Sequence, residues 1–389
     1  MKLGVLQFFS WPERRVDLAM VYARALERIE IMDRSGYDAV WLAEHHFSSF
    51  SVCPSVYMVG TLAAARTKRL RIGTAVSLAP FYHPLRLAEE VALLDLLSGG
   101  RVNWGAGRGL ARVEFTAFGV PPEESVSRFH ETVEIVLEAW TEAKLTFAGK
   151  HFHFEDVEVL PKPVQQPHPP VWVAASSEGA IDWAAGRGFS ILMDPHSSGP
   201  EIGAKRLYYA DKLTAAGFSE SGRDIPIARL VAIAPTAVKA KDVARSGAEW
   251  IVNSYLGTEH RPVMQHNFWS ASVDPIQRYL DEVILHGDEI LRLREEIGLD
   301  YLLCAPLSHQ TSNQSPHRAQ HRRRQLSRAL RDHDARRFRS RRHARRAPLD
   351  RTGRRGRAAP GDRARGRASS GHSRGPARDA AAARFVKSK

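Results

Sequence analysis

Over the first 310 residues, short apolar runs alternate with longer stretches whose apolar positions recur at helical spacing. "LGVLQF" precedes "DLAMVYARALERIEIMDRSG", an amphipathic pattern that Ser35-Gly36 brings to a stop. "DAVWLA" leads to "MVGTLAAARTK", "LRIGTAVSLA" to "LRLAEEVALLDLLSGG", and "RVNWGAG" to a helix through "SVSRFHETVEIVLEAWTEA". "PPVWVAAS", "FSILMD" and "IPIARLVAIAP" are each followed by a helical pattern, the third by "AKDVARSGAEWIVNSYLG". A last helix is predicted over "PIQRYLDEVILHGDEILRLREEIG", before "LDYLLCAPL". Strands that alternate with helices predict a parallel sheet, and about eight of them in this length fit a (β/α)8 TIM barrel. An open doubly wound sheet is the competing architecture. It is disfavoured because no Gly-rich dinucleotide fingerprint follows the first strand. The segment "AKLTFAGKHFHFEDVEVLPKPVQQPHPP" breaks the rhythm and reads as an inserted hairpin and loop.

After residue 310 the pattern vanishes. Residues 311–389 hold 25 of the 56 Lys and Arg but 5 of the 43 Asp and Glu, so a body of about −7 carries a tail of about +20. Arg, Ala, Gly, Ser, His and Pro dominate, with no sustained apolar period, and a disordered basic tail is expected. Such an arm could bind nucleic acid. The favoured reading is a frameshift product, a G+C-rich gene translated out of frame, because the aromatic residues that a nucleic-acid surface interleaves are scarce. The domain division is therefore 1–310 and 311–389.

The 43% apolar content is ordinary for a globular protein, and no run approaches the roughly 18 apolar residues of a membrane helix. "MKLGVLQFFSWPERR" is read as a first strand, not a signal peptide, since Gln7 interrupts it. Cys53 and Cys304 make neither a disulfide framework nor a metal cluster, which points to a reduced, cytoplasmic enzyme.

Barrel chemistry sits where strands end, and "VWLAEHHF" reaches that position with Glu44, His45 and His46. Adjacent histidines on an extended chain face opposite ways, so one at most meets the central pocket. Either could equally be a structural hydrogen-bonder. A metal is not expected, because neighbouring histidines chelate one ion poorly and only His83 lies near in sequence. "GAGRGLARVEFTAFG" closes the fourth strand with glycines around Arg108, a fork suited to phosphate or simply a solvated turn. "VWVAASSEGA" runs into Ser176-Ser177 just before a helix, which is a phosphate seat or a plain N-cap. Ends of consecutive strands could grip one phosphate between them.

These stretches, with "IGTAVSLAPFYHP" and "PPVWVAASSEGAIDWAAGRG", resemble the bacterial luciferase-like, flavin-dependent monooxygenases, in order from residue 1 to about 310. The resemblance implies reduced FMN at the C-terminal face of the barrel, its phosphate held by Arg108, Ser176 and Ser177. It implies His45 as the catalytic histidine, Glu114 as an acidic residue near the flavin, and a non-proline cis peptide at Ala75 in "TAV". It also implies a C4a-hydroperoxyflavin formed with O2, which the protein must shield from water while controlling one proton. Glu44 or His46 would orient His45. A luciferase alpha subunit has a reactive cysteine where this chain has Gly107, and a tryptophan where it has Pro195, so oxygen chemistry is implied without light emission. The tail begins where the family has its eighth helix.

The expected activity is thus that of an FMN-dependent monooxygenase acting on a small organic substrate, with Phe8, Phe9, Trp11 and Tyr82 as candidate pocket liners. A separate flavin reductase is implied by the absence of an NAD(P)H fingerprint, and a homodimer by the family. Two alternatives stand beside it: an F420-dependent oxidoreductase of the same superfamily, and an inactive barrel whose tail binds nucleic acid.

Overall fold

A computed structural model describes residues 1–221, 223–232, 234, 236–256, 274–285, 296 and 301–306. All of them fall in one compact unit, Met1–Asp332. The Arg-rich tail, the place of an eighth helix and most of the segment before "LDYLLCAPL" lie outside the described residues.

The chain opens with β1 (Lys2–Gln7), α1 (Leu18–Arg34), β2 (Ala39–Leu42), α2 (Val56–Arg66), β3 (Arg71–Thr74) and β4 (Ser77–Leu78). It continues through α3 (Pro84–Ser98), β5 (Val102–Gly107), α4 (Arg112–Phe118) and α5 (Ser125–Thr141). The predicted hairpin follows as antiparallel β6 (Leu145–Ala148) and β7 (His153–Val157). Then come β8 (Val171–Ala174), α6 (Glu178–Gly186), β9 (Ser190–Leu192), α7 (Gly199–Ala215), β10 (Pro226–Val231) and α8 (Ala237–Leu256). The last described elements are α9 (Pro275–Arg278), β11 (Ile284–Leu285) and β12 (Tyr301–Pro306).

The eight strands read from the sequence pair in parallel along the path β10–β12–β1–β2–β3–β5–β8–β9, with β11 outside β10. Just beyond β9, Met193 makes an isolated parallel bridge to Ile227 of β10, so the two ends of that path meet. Apolar residues occupy both faces. Val5, Val40, Leu42, Val102, Val171 and Ile227 pack under the helices, whereas Leu6, Trp41, Trp172, Leu192 and Ala228 fill the other face. Trp41 meets Trp172 edge-on at 5.2 Å although three pairing steps separate their strands, so the inner face curls onto itself. One prediction changes: the helix expected from Pro275 to Gly298 starts as α9, widens to a π-turn at Tyr279–Val283, and becomes extended at Ile284, where backbone pairing with Leu230 takes over.

Caps follow the chemistry of the sequence. Asp17 accepts from the Ala19 amide, Ser55 from Met58 and Ser177 from Ala180, each satisfying a donor left over at a helix start. Ser198 and Glu201 form a reciprocal capping box on α7.

The third strand is broken. The β3–β5 ladder holds Gly73 opposite Asn103, and pairing resumes at Ser77 opposite Ala106, one residue more on the first side. Within that gap the Ala75–Val76 peptide is cis. The Thr74 hydroxyl patches the ladder, donating to the Gly105 carbonyl at 2.7 Å and accepting from its amide at 2.9 Å. A side chain at Gly105 would put its Cβ 2.0 Å from the Thr74 carbonyl oxygen. Thr74→Val should therefore strand two buried backbone groups and lower stability by about 2–4 kcal/mol in urea unfolding. Gly105→Ala, which forces the strands apart, should be at least as damaging in the same measurement.

Candidate active site

At the strand ends a cavity of about 250 Å3 opens, and Glu44, His45, Ala75, Arg108, Glu114 and Ser176 all line it. His46 and Ser177 do not. The fully apolar β2 roots this site: Val40, Trp41 and Leu42 are completely buried, and the polar residues follow at once.

His45 and His46 do point to opposite sides. The His45 ring stands in the cavity between Phe8, 6.1 Å away by ring centroid, and Phe50, at 5.2 Å. Its backbone amide is tied to the Cys53 carbonyl at 3.2 Å. His46 turns away to pack edge-on against Phe118. Glu44 shares its side of the extended chain and meets His46 Nε2 at 3.0 Å. Glu44 is thus paired with His46, as two residues apart on a strand share a face. Glu44 also accepts from the Leu78 amide and the Tyr82 hydroxyl. Burial raises its carboxyl above the usual range, against the opposing pull of His46 and these donors.

The group facing His45 is Glu114, whose Oε1 lies 3.6 Å from Nδ1 and is almost wholly buried. The same oxygen accepts the His46 amide at 3.0 Å. Glu114 arrives on α4, a seven-residue helix too short for its periodicity to be read in advance.

Arg108 follows β5 directly and is half-buried, its guanidinium drawn below its usual value by burial. Ser176 follows β8, which pairs with β5 from Trp104 opposite Val171 to Ala106 opposite Val173, so the two residues emerge side by side. Ser177 serves as the N-cap of α6. At Gly107 a Cβ would meet Val76 Cγ2 at 2.4 Å, which explains why no cysteine or other side chain stands there.

Of the apolar liners expected, Phe8 lines the cavity. Phe9 is fully buried among Val5, Val21 and Cys53, because alternation along the chain turns it to the helix side. Trp11 donates its indole N–H to the Val16 carbonyl, and Tyr82 packs beside Tyr57 next to Glu44. Among the described residues no group of three or more His, Cys, Asp and Glu could hold a metal. None of their helices is long and apolar enough to cross a membrane.

The sequence reading missed one wall. Asp194, Pro195 and His196, after β9, also line the cavity. Asp194 Oδ1 accepts the amides of His196 at 3.0 Å and Ser197 at 2.8 Å, and Lys205 reaches Oδ2 at 3.0 Å. Behind them the wholly buried Arg229 donates to the Ser197 carbonyl, its guanidinium pushed down to about 10 by burial. The Asp-Pro-His-Ser-Ser turn composition was the available signal. Burial would raise the Asp194 carboxyl, but Lys205, His196 and Ser197 together hold it well below the usual carboxylate range. A depressed carboxyl stabilises the fold above its unfolded value, near 3.9, and loses that contribution as pH falls through the lower folded value. The stability gap between wild type and Asp194→Asn should therefore stay constant from pH 7 to 5 and shrink below about pH 4 in urea titrations.

Comparison with known proteins places this geometry. A family model described as luciferase-like monooxygenase matches residues 1–362. The protein y4wF of Sinorhizobium fredii is 32% identical over 295 residues, 74% of this chain and 85% of that protein. The oxygenase component of the flavin-dependent trigonelline monooxygenase of Acinetobacter baylyi is 32% identical over 183 residues, 46% of this chain and about half (51%) of its own length. Among solved structures, the monooxygenase RslO1 of Streptomyces bottropensis superposes with a TM-score of 0.69 at 28% identity, covering 79% of this chain and 92% of that one. Two more distant structures share the fold. The FMN-bound oxygenating constituent of 3,6-diketocamphane monooxygenase of Pseudomonas putida has TM-score 0.66 at 20% identity, covering 79% of this chain and 91% of that one. An F420-dependent secondary alcohol dehydrogenase has TM-score 0.63 at 17% identity, covering 80% and 92%.

Proposed function

The chain belongs to the luciferase-like monooxygenase family, and from that premise we propose that it is the FMN-dependent oxygenase of a two-component system. It would take reduced FMN from a separate reductase and oxygenate a small organic substrate through a C4a-hydroperoxyflavin. The balance is simple: reduced flavin gives two electrons, one atom of O2 enters the substrate, and the other leaves as water. The single observation that carries this reading is one cavity that holds Arg108 and Ser176 on neighbouring strand ends together with His45 backed by Glu114.

The residues fit such a ligand. Arg108 is a cation already half-withdrawn from water, so a phosphate meets it with part of the desolvation cost already met. Ser176, just ahead of the α6 N-terminus, adds a hydroxyl where a helix end favours an anion. Leu6, Phe8, Leu78 and Leu110 supply apolar walls for a flat ring and an organic substrate, and keep water away from the reacting centre. His45 would hold or move the proton, with the Glu114 carboxylate 3.6 Å from its Nδ1. The eight parallel strands, joined end to end by the Met193–Ile227 bridge, are read as a (β/α)8 barrel. Two neighbouring helices, α2 and α3, expose Met58, Leu62, Leu93, Leu96 and Leu97, and this face is where a second copy would pack in a homodimer. Both described cysteines are buried and free, in keeping with a reduced cytoplasm.

Anaerobic titration of the full chain with reduced FMN should saturate at one equivalent. Arg108→Ala should weaken binding by about 10- to 100-fold, the value of a charge-assisted phosphate contact. Mixing with oxygen should give a long-lived oxygenated-flavin absorbance that decays at least about tenfold faster in His45→Ala, with flavin affinity little changed. A folded chain that ignores FMN and instead binds F420 would overturn the FMN assignment.

A further inference from the structure

The strands leave a second space, at the end away from His45 and Arg108. There a cavity of about 820 Å3 opens at the N-terminal ends of the sheet. Six strands, β1, β3, β5, β8, β9 and β12, line it with one of their first two residues, and β2 and β10 with Asp38 and Asp224 just ahead of them. The two cavities share no lining residue. Trp41, Trp172 and Tyr301 pack together on the inner face, Trp41 donating its indole N–H to the Tyr301 hydroxyl at 3.0 Å. Trp172 lines the lower cavity, and Ala174, two residues along the same strand, lines the upper one.

Strand alternation aims charge into this space. Arg71 and Gly73 share a face of β3, and a Cβ at Gly73 would meet the Trp41 ring, so Arg71 is turned inward. It donates to the side-chain oxygens of Asn103 at 2.6 Å and Gln165 at 2.9 Å, and to the Val102 carbonyl at 2.7 Å. Burial draws its guanidinium below its usual value, against the pull of Asp95, Tyr301 and Asp224. Asp95 is bonded to the Val164 and Gln165 amides, and Asp224 to Lys2. Arg223 stands just ahead of β10, four pairing steps from β3, and donates to the carbonyls of Ser219 and Gly188. Neutral acceptors fix a guanidinium without cancelling its charge. The wall therefore carries Lys2, Arg69, Arg71 and Arg223 against Asp38 and Asp224, a surplus of two positive charges. Tyr37, Trp172 and Phe189 add aromatic surface.

We propose that this N-terminal cavity is a second ligand site, which takes a small aromatic phosphate monoester between Arg71 and Arg223. A phosphate monoester carries about 1.5 to 2 negative charges at pH 7, which matches the surplus on the wall. Its oxygens accept from guanidinium forks in pairs, and its ring lies against Tyr37, Trp172 and Phe189. The volume is within the roughly 300–1,000 Å3 of small-molecule pockets. The N-terminal face of such a sheet ordinarily serves stability alone. A face with only that task would be filled by side chains to the density of a protein interior. Here the space stays open, and cations are held at its edge by neutral partners. The site does not depend on the flavin reading, and a ligand there leaves the cavity at the C-terminal ends free.

The test titrates the full chain with phenyl phosphate, benzoate and inorganic phosphate, read by calorimetry and by tryptophan fluorescence. Arg108→Ala serves as the background, because it removes the anion seat of the other cavity. That variant should still bind phenyl phosphate. Adding Arg223→Gln should weaken binding by about tenfold, the worth of one charge-assisted contact. Adding Arg71→Lys, which keeps the charge and loses the fork, should weaken it severalfold. Benzoate, with the same ring and one negative charge, should bind about tenfold more weakly than phenyl phosphate, and inorganic phosphate, without the ring, severalfold more weakly. Trp172→Phe should remove most of the fluorescence change with little effect on the calorimetric affinity. Loss of all phenyl phosphate binding in a folded Arg108→Ala would overturn the proposal. So would affinity unchanged by both Arg223→Gln and Arg71→Lys, which would assign the anion to other cations of this Arg-rich chain. Equal affinity for benzoate and phenyl phosphate would overturn the ligand class.

Discussion

Parallel strands exchange backbone hydrogen bonds at a fixed pitch, and the seam between β3, β4 and β5 cannot keep that pitch because one strand carries an extra residue. The structure resolves the mismatch with a single side chain. The Thr74 hydroxyl serves both polar groups of Gly105, and the strands come so close that only glycine fits opposite. Everything at the cavity floor follows. Ala75 and Val76 are lifted out of the ladder into the cavity, Leu78 is returned to register with Gly107, and Arg108 leaves β5 at a defined height.

Polar groups near this floor sort into two sets by the alternation of an extended chain. Glu44 and His46 form a buried pair on one side, strengthened by the Leu78 amide and the Tyr82 hydroxyl. His45 and Glu114 stand on the other side, and both line the cavity, as Glu44 of the first pair also does. The sets meet where the His46 amide donates to the Glu114 oxygen that faces His45. Glu114 is thereby fixed by backbone, so its position relative to His45 does not depend on solvent. Such an arrangement suits a histidine that must handle a proton in a closed, apolar pocket.

The opposite wall is built by different means. No strand alternation presents His196; a turn does, and turns hold side chains only as well as they are anchored. Asp194, Lys205 and Arg229 supply charge-assisted anchors, and Tyr279 supplies a neutral one from a segment far along the chain. Of the three charges only Arg229 is fully buried; the partly exposed Asp194–Lys205 pair at 3.0 Å, with Ser197 beside it, keeps some contact with water and so a lower desolvation cost.

The order of strands and helices, the hairpin insertion and the serine cap ahead of α6 were legible in the sequence, because apolar period and capping chemistry are local properties. So was the choice of one histidine for the cavity, since neighbours on an extended chain must face apart. The pairing of Glu44 with His46 was legible in principle by the same rule, two residues sharing a face. The partnership of His45 with Glu114 was not: it joins two elements 69 residues apart, one a short helix without a readable period. Phe9 and Tyr82 were drawn to the cavity by their places near strand ends, and only packing turned them elsewhere. The His196 wall depends on Tyr279, 83 positions away. Local chemistry determined which elements form and which residues reach the strand ends. Which of those residues meet was decided by strand register and by the curl of the sheet, long-range constraints that no single stretch of sequence contains.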